Sequence, residues 1–304
     1  GAQRGLTYLP FAVMRHVKLI EKQAARDGNA KLAVEFNYFA GSSQMNDALL
    51  ADQIDIAQTG IPTFLALWAK GKGRFAVKGL ASYGSTPIAL ITRNPNVRKL
   101  EDFTDADRIA VPAAKTSLQA IFLGIAAEKI WGTEKAGRFD PLQVTRGHPD
   151  AYAALIGNTE INSHFAIPPY LQEALKRPDI HIVATSEQMV GEAVSNGTIY
   201  LTTRFADANP KLTAAYYRAV KEALEIINND PARAAAAYLA VSGEKTAAEE
   251  IVAMIKIPGT LWDAAPHGVV RLAGFLKRVG MIQADLPKDW REYYLPHVHA
   301  EPGS

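Results

Sequence analysis

The chain has 304 residues, of which 48% are hydrophobic and 21% are charged, as in an ordinary globular protein of one large or two average domains. Its net charge is only +2, so it lacks the concentrated basic surface that nucleic acids and anionic membranes require, and we expect no nucleic-acid partner. The absence of cysteine excludes thiol catalysis, disulfides and thiolate metal sites.

The first part of the chain alternates helices and strands. Val13, Val17 and Ile20 recur at helical spacing, whereas residues 32–39 alternate like a strand. In chain order the predicted elements are helix 9–25, strand 32–39, helix 44–51, strand 54–58, helix 62–70 and strands 75–82 and 88–93. This order predicts a parallel sheet with helices on its faces.

The same pattern then restarts and ends in a helical region. The predicted elements are a helical turn at 99–103, strand 108–112, a helix from 118, a further unit from 147, strands 161–165, 180–184 and 198–203, and helices 210–228, 231–239, 247–254 and 267–279. We expect an α/β protein with two lobes, formed by residues 1–88 plus 203–304 and by residues 89–202. The crossings are expected near 86–92 and 198–204, and residues 301–304 are expected to form a disordered tail.

Two short polar loops stand between a strand and a helix, one in each lobe. They are Gly41-Ser42-Ser43 and Lys115-Thr116-Ser117, and Thr59 ends a third strand. Serine and threonine commonly cap helices, so capping alone is one explanation. The other is an anion site, because helix N-termini at strand ends offer unpaired N–H groups and partial positive charge. Both explanations stay open for each loop.

Enzyme motifs are weak in this sequence. Gly41-Ser-Ser-Gln-Met lacks the second glycine of a nucleophile elbow, and the seven histidines form no His-Glu-x-x-His pair. Residues 70–76 match a loose dinucleotide pattern but follow a helix, where the fingerprint requires a strand, so we predict a turn there. We therefore expect no enzyme, no catalytic residue, no metal and no cofactor.

Several segments together resemble a known family in their order and spacing. They are Gly5-Leu-Thr-Tyr-Leu-Pro-Phe11, Val34–Ser43, Asp52–Pro62, Lys99-Leu-Glu-Asp-Phe103, Arg108–Pro112, His164-Phe-Ala-Ile-Pro-Pro-Tyr170 and Gly280-Met-Ile282. The chain resembles the sulfonate/nitrate/taurine class of ABC-transporter substrate-binding proteins over nearly its whole length. The resemblance implies an α/β fold of the type II periplasmic binding protein kind, whose two lobes close on a small molecule.

The resemblance also implies the site and the partners. The implied ligand-binding residues are Arg4, Thr7, Tyr8, Gly41, Ser42, Ser43, Thr59 and Tyr83 in the first lobe and Lys115, Thr116, Ser117, His164 and Phe165 in the second. The implied ligand is a small organic anion, an aliphatic sulfonate or a taurine-like molecule. The implied partners are an ABC permease and its ATPase, and a periplasmic monomer whose signal peptide has been removed is expected.

Alternatives remain within the same fold. Members of the class often carry Trp or Asp where this chain has Ser163-His164-Phe165, so an aromatic carboxylate or a thiamine-pyrimidine precursor is a second possible ligand. A ligand-sensing domain would have the same clamp. The thiamine-pyrimidine synthases share the fold but use a cysteine-rich iron site, and the lack of cysteine argues against that enzyme.

Overall fold

The computed structural model describes residues 1–71 and 73–304; Lys72, in the turn predicted at 70–76, lies outside the described residues. The helices are α1 (Leu9–Val17), α2 (Leu19–Arg26), α3 (Ser42–Leu50), α4 (Ile61–Lys70), α5 (Leu118–Trp131), α6 (His148–Gly157), α7 (Tyr170–Leu175), α8 (Ser186–Val190), α9 (Thr203–Ala208), α10 (Pro210–Asn229), α11 (Pro231–Ser242), α12 (Ala248–Ile255) and α13 (Val269–Arg278). The strands are β1 (Ile56–Thr59), β2 (Val77–Ser82), β3 (Ala89–Thr92), β4 (Ile109–Val111), β5 (Gln143–Thr145), β6 (Ser163–Ala166), β7 (His181–Thr185) and β8 (Thr198–Thr202). Over the described residues, no helix combines the length and the apolar character needed to cross a lipid bilayer.

The first sheet has the strand order β1-β8-β2. Both β1 and β2 pair antiparallel with β8, which is buried along its whole length. Because β8 lies between them, β1 and β2 run in the same direction without touching. The parallel order predicted for this part of the chain is therefore interrupted by a strand that returns from the second half.

The second sheet has the order β5-β4-β6-β3-β7 and is mixed. Strand β4 pairs parallel with β5 and β6, whereas β3 pairs antiparallel with β6 and β7. Phe165 on β6 packs toward Phe122 of α5 on one face of this sheet. His164, the preceding residue, faces the opposite side, as alternation along a strand requires.

Two connections join the sheets, one after β2 and one before β8, and they run side by side. Ser85 Oγ donates to Val194 O and the backbone N–H of Asn196 donates to Gly84 O, each over 2.8 Å. The Asn196 side-chain amide makes two hydrogen bonds with Thr86: it accepts from Oγ1 at 3.0 Å and donates to the carbonyl oxygen at 3.2 Å. Paired connections of this kind allow two lobes to rotate about one axis.

The lobe limits predicted at 88/89 and 202/203 stay a prediction. One observation bears on them, since β8 pairs only with strands of the first sheet. Its residues would fall in the second lobe under the predicted limits.

The helix predicted over residues 9–25 is divided in the structure. Lys18 has φ 57 and ψ 46 and separates α1 from α2. The Lys18 N–H still donates to the carbonyls of Met14 and Arg15, and its left-handed backbone then turns the following residues out of the axis of α1. The apolar spacing was correct for both pieces but carries no information about this break.

The strand predicted over residues 32–39 does not form. Its ladder is reduced to one parallel bridge between Tyr38 and Ala2. Leu32, Val34 and Phe36 alternate because they pack on an apolar cluster with Phe11, whose ring centroid lies 5.0 Å from that of Phe36. Period-two alternation thus reflects one buried face here rather than pairing in a sheet.

The helices after β8 divide their packing between the lobes. Helices α10 and α11 cover α1 and α2, and α12 packs on α11. Tyr216, Val220 and Leu224 of α10 face inward at helical spacing. Helix α13 instead reaches the second lobe, where Arg278 pairs with Glu128 of α5 at 3.0 Å.

The C-terminal residues are ordered, so the expected disordered tail is wrong. Ser304 accepts hydrogen bonds from the backbone N–H groups of Gly268 and Val269, at 2.9 and 2.7 Å. Its own N–H donates to the carbonyl of Pro266 at 3.0 Å. These bonds anchor the tail beside the start of α13.

The connection before β8 makes a testable prediction. A Cβ added to Gly197 would collide with the Tyr83 hydroxyl and with the carbonyl of Thr59. We expect Gly197→Ala to lower the free energy of unfolding by about 1–3 kcal/mol, the usual cost of overpacking, in urea denaturation. Gly157→Ala is the control, because its nearest neighbour is 4.0 Å away. Equal stability of the two variants would contradict the close approach of the crossings.

Candidate functional site

A small cavity lies between the two sheets, where the lobes meet. The space open to the centre of a water molecule is about 20 Å³, close to the minimum that one water needs. It is lined by Gln3, Thr7, Tyr8, Ser42, Gly60, Tyr83, Ile88, Pro112, Ser117, Leu118, Gln119, His148, Ile167 and Asn196. None of these side chains carries a formal charge, apart from the histidine when protonated.

The cavity is narrow because the lobes touch around it. Leu6 N donates to Pro168 O over 2.8 Å, and the Thr63 hydroxyl donates to Thr116 O over 3.2 Å. A Cβ on Gly41 would stand only 2.8 Å from the carbonyl oxygen of Pro112, so only glycine allows this approach without a shift. The lobes are therefore in contact on both sides of the cavity.

Further polar contacts join the lobes at the edge of the cleft. Tyr170 donates to Glu244 over 2.9 Å, and Lys176 pairs with Glu250 at 2.7 Å. Burial raises the pKa of Glu244, whereas its hydrogen bonds from Tyr170 and Tyr238 oppose the rise. The exposed ion pair contributes little to closure, since exposed pairs are worth about 0–1 kcal/mol.

Several helices begin at the cavity wall. Tyr8 precedes α1, Ser42 opens α3, Gly60 precedes α4, and Ser117 precedes α5. Helix α6 also starts there, with His148 as its first residue. The N–H groups of a first turn have no intrahelical acceptor, and the helix dipole adds partial positive charge at the same end. The cavity is therefore rich in N–H donors and attracts negative charge without a cationic side chain.

Some of the residues predicted for the site lie at this cavity. Thr7, Tyr8, Ser42, Tyr83 and Ser117 line it, and they come from both lobes. The rings of Tyr8 and Tyr83 lie 5.3 Å apart between centroids, and burial raises the pKa of both phenols. A tilted aromatic pair, with 32° between the ring planes, thus forms one wall.

Other predicted residues stand directly behind the wall. Thr59 Oγ1 lies 3.2 Å from both the Gly60 carbonyl oxygen and the Tyr200 hydroxyl oxygen, and its single hydrogen is donated to one of them. Thr116 contributes its carbonyl to the bond with Thr63. Phe165 is fully buried against Phe122, and His164 lies behind His148. Gly41 packs against Pro112 beside the cavity.

The remaining predicted residues lie outside the cavity. Arg4 is exposed, with its guanidinium 4.8 Å from the centroid of the Tyr38 ring. Ser43 and Lys115 are also exposed. The structure places them on the surface near the cleft, and their role in binding stays a prediction.

Sequence reasoning missed four polar residues of the wall. Gln3, Gln119, His148 and Asn196 all line the cavity. Gln119 stands two positions after Ser117, in the first turn of α5, so the capping motif pointed near it. His148 follows Gly147 at the start of a predicted helical unit, but no local motif distinguishes it from a surface histidine.

A buried chain of side chains extends from the cavity into the second lobe. Gln119 Nε2 lies 3.4 Å from His148 Nε2, and His148 Nδ1 lies 3.1 Å from His164 Nε2. Burial lowers the pKa of His148 to about 3, and burial together with His148 lowers the pKa of His164 well below its ordinary range. Both imidazoles are therefore neutral near pH 7.

The Ser42 and Ser117 hydroxyl oxygens at the helix starts each accept a hydrogen bond from the protein. Ser42 Oγ accepts from Gln3 Nε2 at 2.9 Å, and Ser117 Oγ accepts from Ala120 N at 3.4 Å. In each case the oxygen is used as an acceptor, so the O–H is available to donate. The Asn196 Oδ1 likewise accepts from Thr86.

No protein-family model matches the chain, and no curated protein matches it. Solved structures do. The alkanesulfonate-binding protein SsuA of Xanthomonas axonopodis pv. citri, bound to MOPS, matches with a TM-score of 0.72 at 15% identity, over 93% of each chain. The periplasmic aliphatic sulphonate-binding protein SsuA of Escherichia coli matches with a TM-score of 0.66 at 17% identity, over 96% of this chain and 98% of that chain.

A nitrate-binding protein has the same architecture. The periplasmic NrtA of Synechocystis PCC 6803 matches with a TM-score of 0.70 at 17% identity, over 94% of this chain and 82% of that chain. These matches establish the fold: the chain has the α/β fold of periplasmic binding proteins, as its sequence predicted. The resemblance to the sulfonate/nitrate class is confirmed at that level.

The two neutral histidines predict how stability depends on pH. Their pKa values are lower in the folded protein than in the unfolded chain, where histidine titrates near about 6.5. Between that pH and the folded pKa, the unfolded chain binds more protons, so stability falls as the pH falls. Each histidine contributes a slope of up to about 1.4 kcal/mol per pH unit.

Urea denaturation between pH 7 and pH 4.5 checks this prediction. The variant His148→Gln/His164→Gln should show a shallower loss of stability on acidification than the wild type. His267→Gln is the control of opposite sign, because Asp263 raises the pKa of His267, and its loss should steepen the fall. Parallel curves for the wild type and the double variant would contradict the neutral pair.

Proposed function

We propose that the protein is an extracytoplasmic solute-binding protein of an ABC importer. It captures a small organic anion, an aliphatic sulfonate or a related molecule, by closure of its two lobes and delivers it to a membrane permease that an ATPase drives. We propose that it acts as a monomer in the periplasm. The observation that carries this proposal is the meeting of helix first turns from both lobes at one uncharged cavity.

The electrostatics of the cavity support an anion. Each helix N-terminus stabilises a nearby negative charge by typically about 0.3–1 kcal/mol, and by more when the geometry is partly buried. Helices α3 and α4 contribute from one lobe and α5 and α6 from the other, so an anion between them stabilises the closed form. Binding energy is thereby coupled to closure.

The neighbours of His148 support binding without catalysis. Its Nδ1 faces His164 and its Nε2 faces Gln119, so neither ring nitrogen lies against Ser42 or Ser117. A serine nucleophile needs a base within hydrogen-bond reach. The serines therefore act as donors to a ligand that leaves unchanged.

The solved relatives support transport as the biological role. The names of the matching proteins describe sulfonate and nitrate binding in the periplasm and ligand-binding components of ABC importers. The lobes and the paired crossings provide the hinge that such a role requires.

The aromatic wall favours a second candidate ligand. Tyr8 and Tyr83 form a tilted pair that lines the cavity, and aromatic side chains of this kind pack favourably against another ring. An aromatic carboxylate would place its carboxylate at the helix starts and its ring against this pair. Such a ligand needs the lobes to open wider than the present cavity.

A thermal-shift screen tests the proposed function. The panel contains nitrate, taurine, methanesulfonate and longer alkyl sulfonates, benzoate, phthalate and thiamine-pyrimidine precursors. A ligand at one hundred times its Kd should stabilise the protein by about 2.7 kcal/mol and raise the melting temperature accordingly. Native mass spectrometry of the purified protein is run in parallel, to detect a ligand already bound. Absence of both a shift and a co-purified anion would contradict the proposal.

Variants of the serines locate the site. Hydrogen bonds to charged groups are worth about 1.5–3 kcal/mol, so Ser42→Ala and Ser117→Ala should each weaken binding of the best anion about tenfold or more in calorimetry. Ser186→Ala is the matched control, because Ser186 likewise opens a helix, α8, but is not among the residues that line the cavity. Because Ser117 also caps α5, the stability of each variant is measured separately. Equal affinities for all three would remove the cavity from the binding site.

A further inference from the structure

We propose that Gln119 is a specificity-determining residue of the cavity, and that the His148–His164 pair fixes its amide with the N–H edge toward the ligand. The proposal rests on the proposed function, because it concerns the ligand of the same site. It adds a rule for selection: the group of the ligand that meets Gln119 must be a hydrogen-bond acceptor.

The amide of Gln119 has two possible orientations, which differ by half a turn. In the first, its Oε1 accepts from His148 Nε2–H, His148 Nδ1 accepts from His164 Nε2–H, and the Gln119 NH₂ faces the cavity. In the second, every bond is reversed: Gln119 donates to His148 Nε2, His148 Nδ1–H donates to His164, and Oε1 faces the cavity. The structure has Nε2 of Gln119 at 3.4 Å from His148 Nε2, and a half-turn of the amide puts Oε1 in the same place. The 3.1 Å distance between the two imidazoles is the same for both orientations.

His164, at the far end of the hydrogen-bonded series Gln119–His148–His164, decides between the two orientations. His164 Nδ1 is buried and has no hydrogen-bond partner among the described residues. Its neighbours across the sheet, Ile91 on β3 and Ala110 on β4, have apolar side chains. The first orientation leaves a bare lone pair on this nitrogen, whereas the second leaves a bare N–H.

An unsatisfied buried N–H is the rarer feature in folded proteins, so the first orientation is favoured. It also uses the Nε2–H tautomer in both rings, which is the more stable form of neutral histidine in water. The two histidines thus act as positioning residues. They act on the ligand through Gln119, because they determine which end of its amide faces the ligand.

The other polar groups of the wall follow the same rule. The acceptor atoms of Ser42, Ser117 and Asn196 are engaged by protein donors. Because Asn196 also donates one amide hydrogen to the Thr86 carbonyl, the two serine hydrogens and the second amide hydrogen are left for the ligand. The exception is Gln3, whose Oε1 is buried without a partner among the described residues. No carboxylate lines the cavity, so an ammonium group held there would be unpaired. The cavity therefore selects a head group of acceptors, such as a sulfonate or carboxylate, against one that carries N–H groups.

The tautomers test the proposal without any ligand. Long-range ¹H–¹⁵N correlation spectra of the ¹⁵N-labelled protein at pH 7 report which ring nitrogen carries the proton. We expect both His148 and His164 as Nε2–H tautomers, assigned by loss of the signals in His148→Gln and His164→Gln. An Nδ1–H tautomer in either ring, a mixture of the two, or an imidazolium would overturn the fixed orientation.

A charge-changing variant tests the selection rule. Gln119→Glu replaces the NH₂ by an oxygen of nearly the same size, so an acceptor ligand then meets a carboxylate. We expect methanesulfonate binding to weaken at least a hundredfold, whereas Gln53→Glu, the same change on an exposed residue, leaves it unchanged. Retained binding in Gln119→Glu would mean that Gln119 does not donate to the ligand and would overturn the proposal.

A third variant separates positioning from support of the fold. In His164→Leu, Nδ1 of His148 loses its hydrogen-bond partner, so His148 should become a mixture of tautomers. The preference for methanesulfonate over methanesulfonamide should then fall at least tenfold. His181→Leu, on β7 of the same sheet, is the control. An unchanged preference in a folded His164→Leu protein would overturn the positioning role. If no anion binds the wild type, the proposed function fails, while the tautomer measurement still decides the orientation of Gln119.

Discussion

The first turns of α3, α4, α5 and α6 meet at one cavity, and each leaves backbone N–H groups without an intrahelical acceptor. Such groups are costly to bury unless something accepts from them. No charged side chain lines the cavity to satisfy them. Under the proposed function, a ligand that carries its own acceptors and negative charge satisfies these groups when it binds.

The connections between the sheets share residues with the cavity wall. Asn196 both lines the cavity and bonds Thr86 in the neighbouring crossing, so the wall and the hinge share a side chain. The close approach at Gly197 fixes the same region against Tyr83, which belongs to the aromatic wall. A ligand that draws the helix starts together thus acts on the hinge through direct contacts, without a separate relay.

The histidine pair shows how a stability cost serves the site. Two neutral imidazoles behind the wall make the protein sensitive to acid, because the unfolded chain takes up protons that the folded chain refuses. They also leave one nitrogen of His164 without a partner. Residues that disagree with the rules for a well-satisfied core tend to mark functional sites. Here the unsatisfied nitrogen belongs to His164, the last residue of the hydrogen-bonded series that orients Gln119.

The sequence alone determined the α/β class, most element positions and the two helix-start loops, because periodicity and capping are local properties. Ser42 and Ser117 were found this way, and both line the cavity. Arg4 and Lys115 were implied by their positions in the family resemblance, but neither lines the cavity. A local pattern cannot show on which side of a loop a side chain lies. Only the tertiary structure placed β8 between β1 and β2, since strand pairing joins residues distant in sequence. The same holds for Gln119, His148 and His164, which lie on α5, α6 and β6 and touch only after the second lobe has folded.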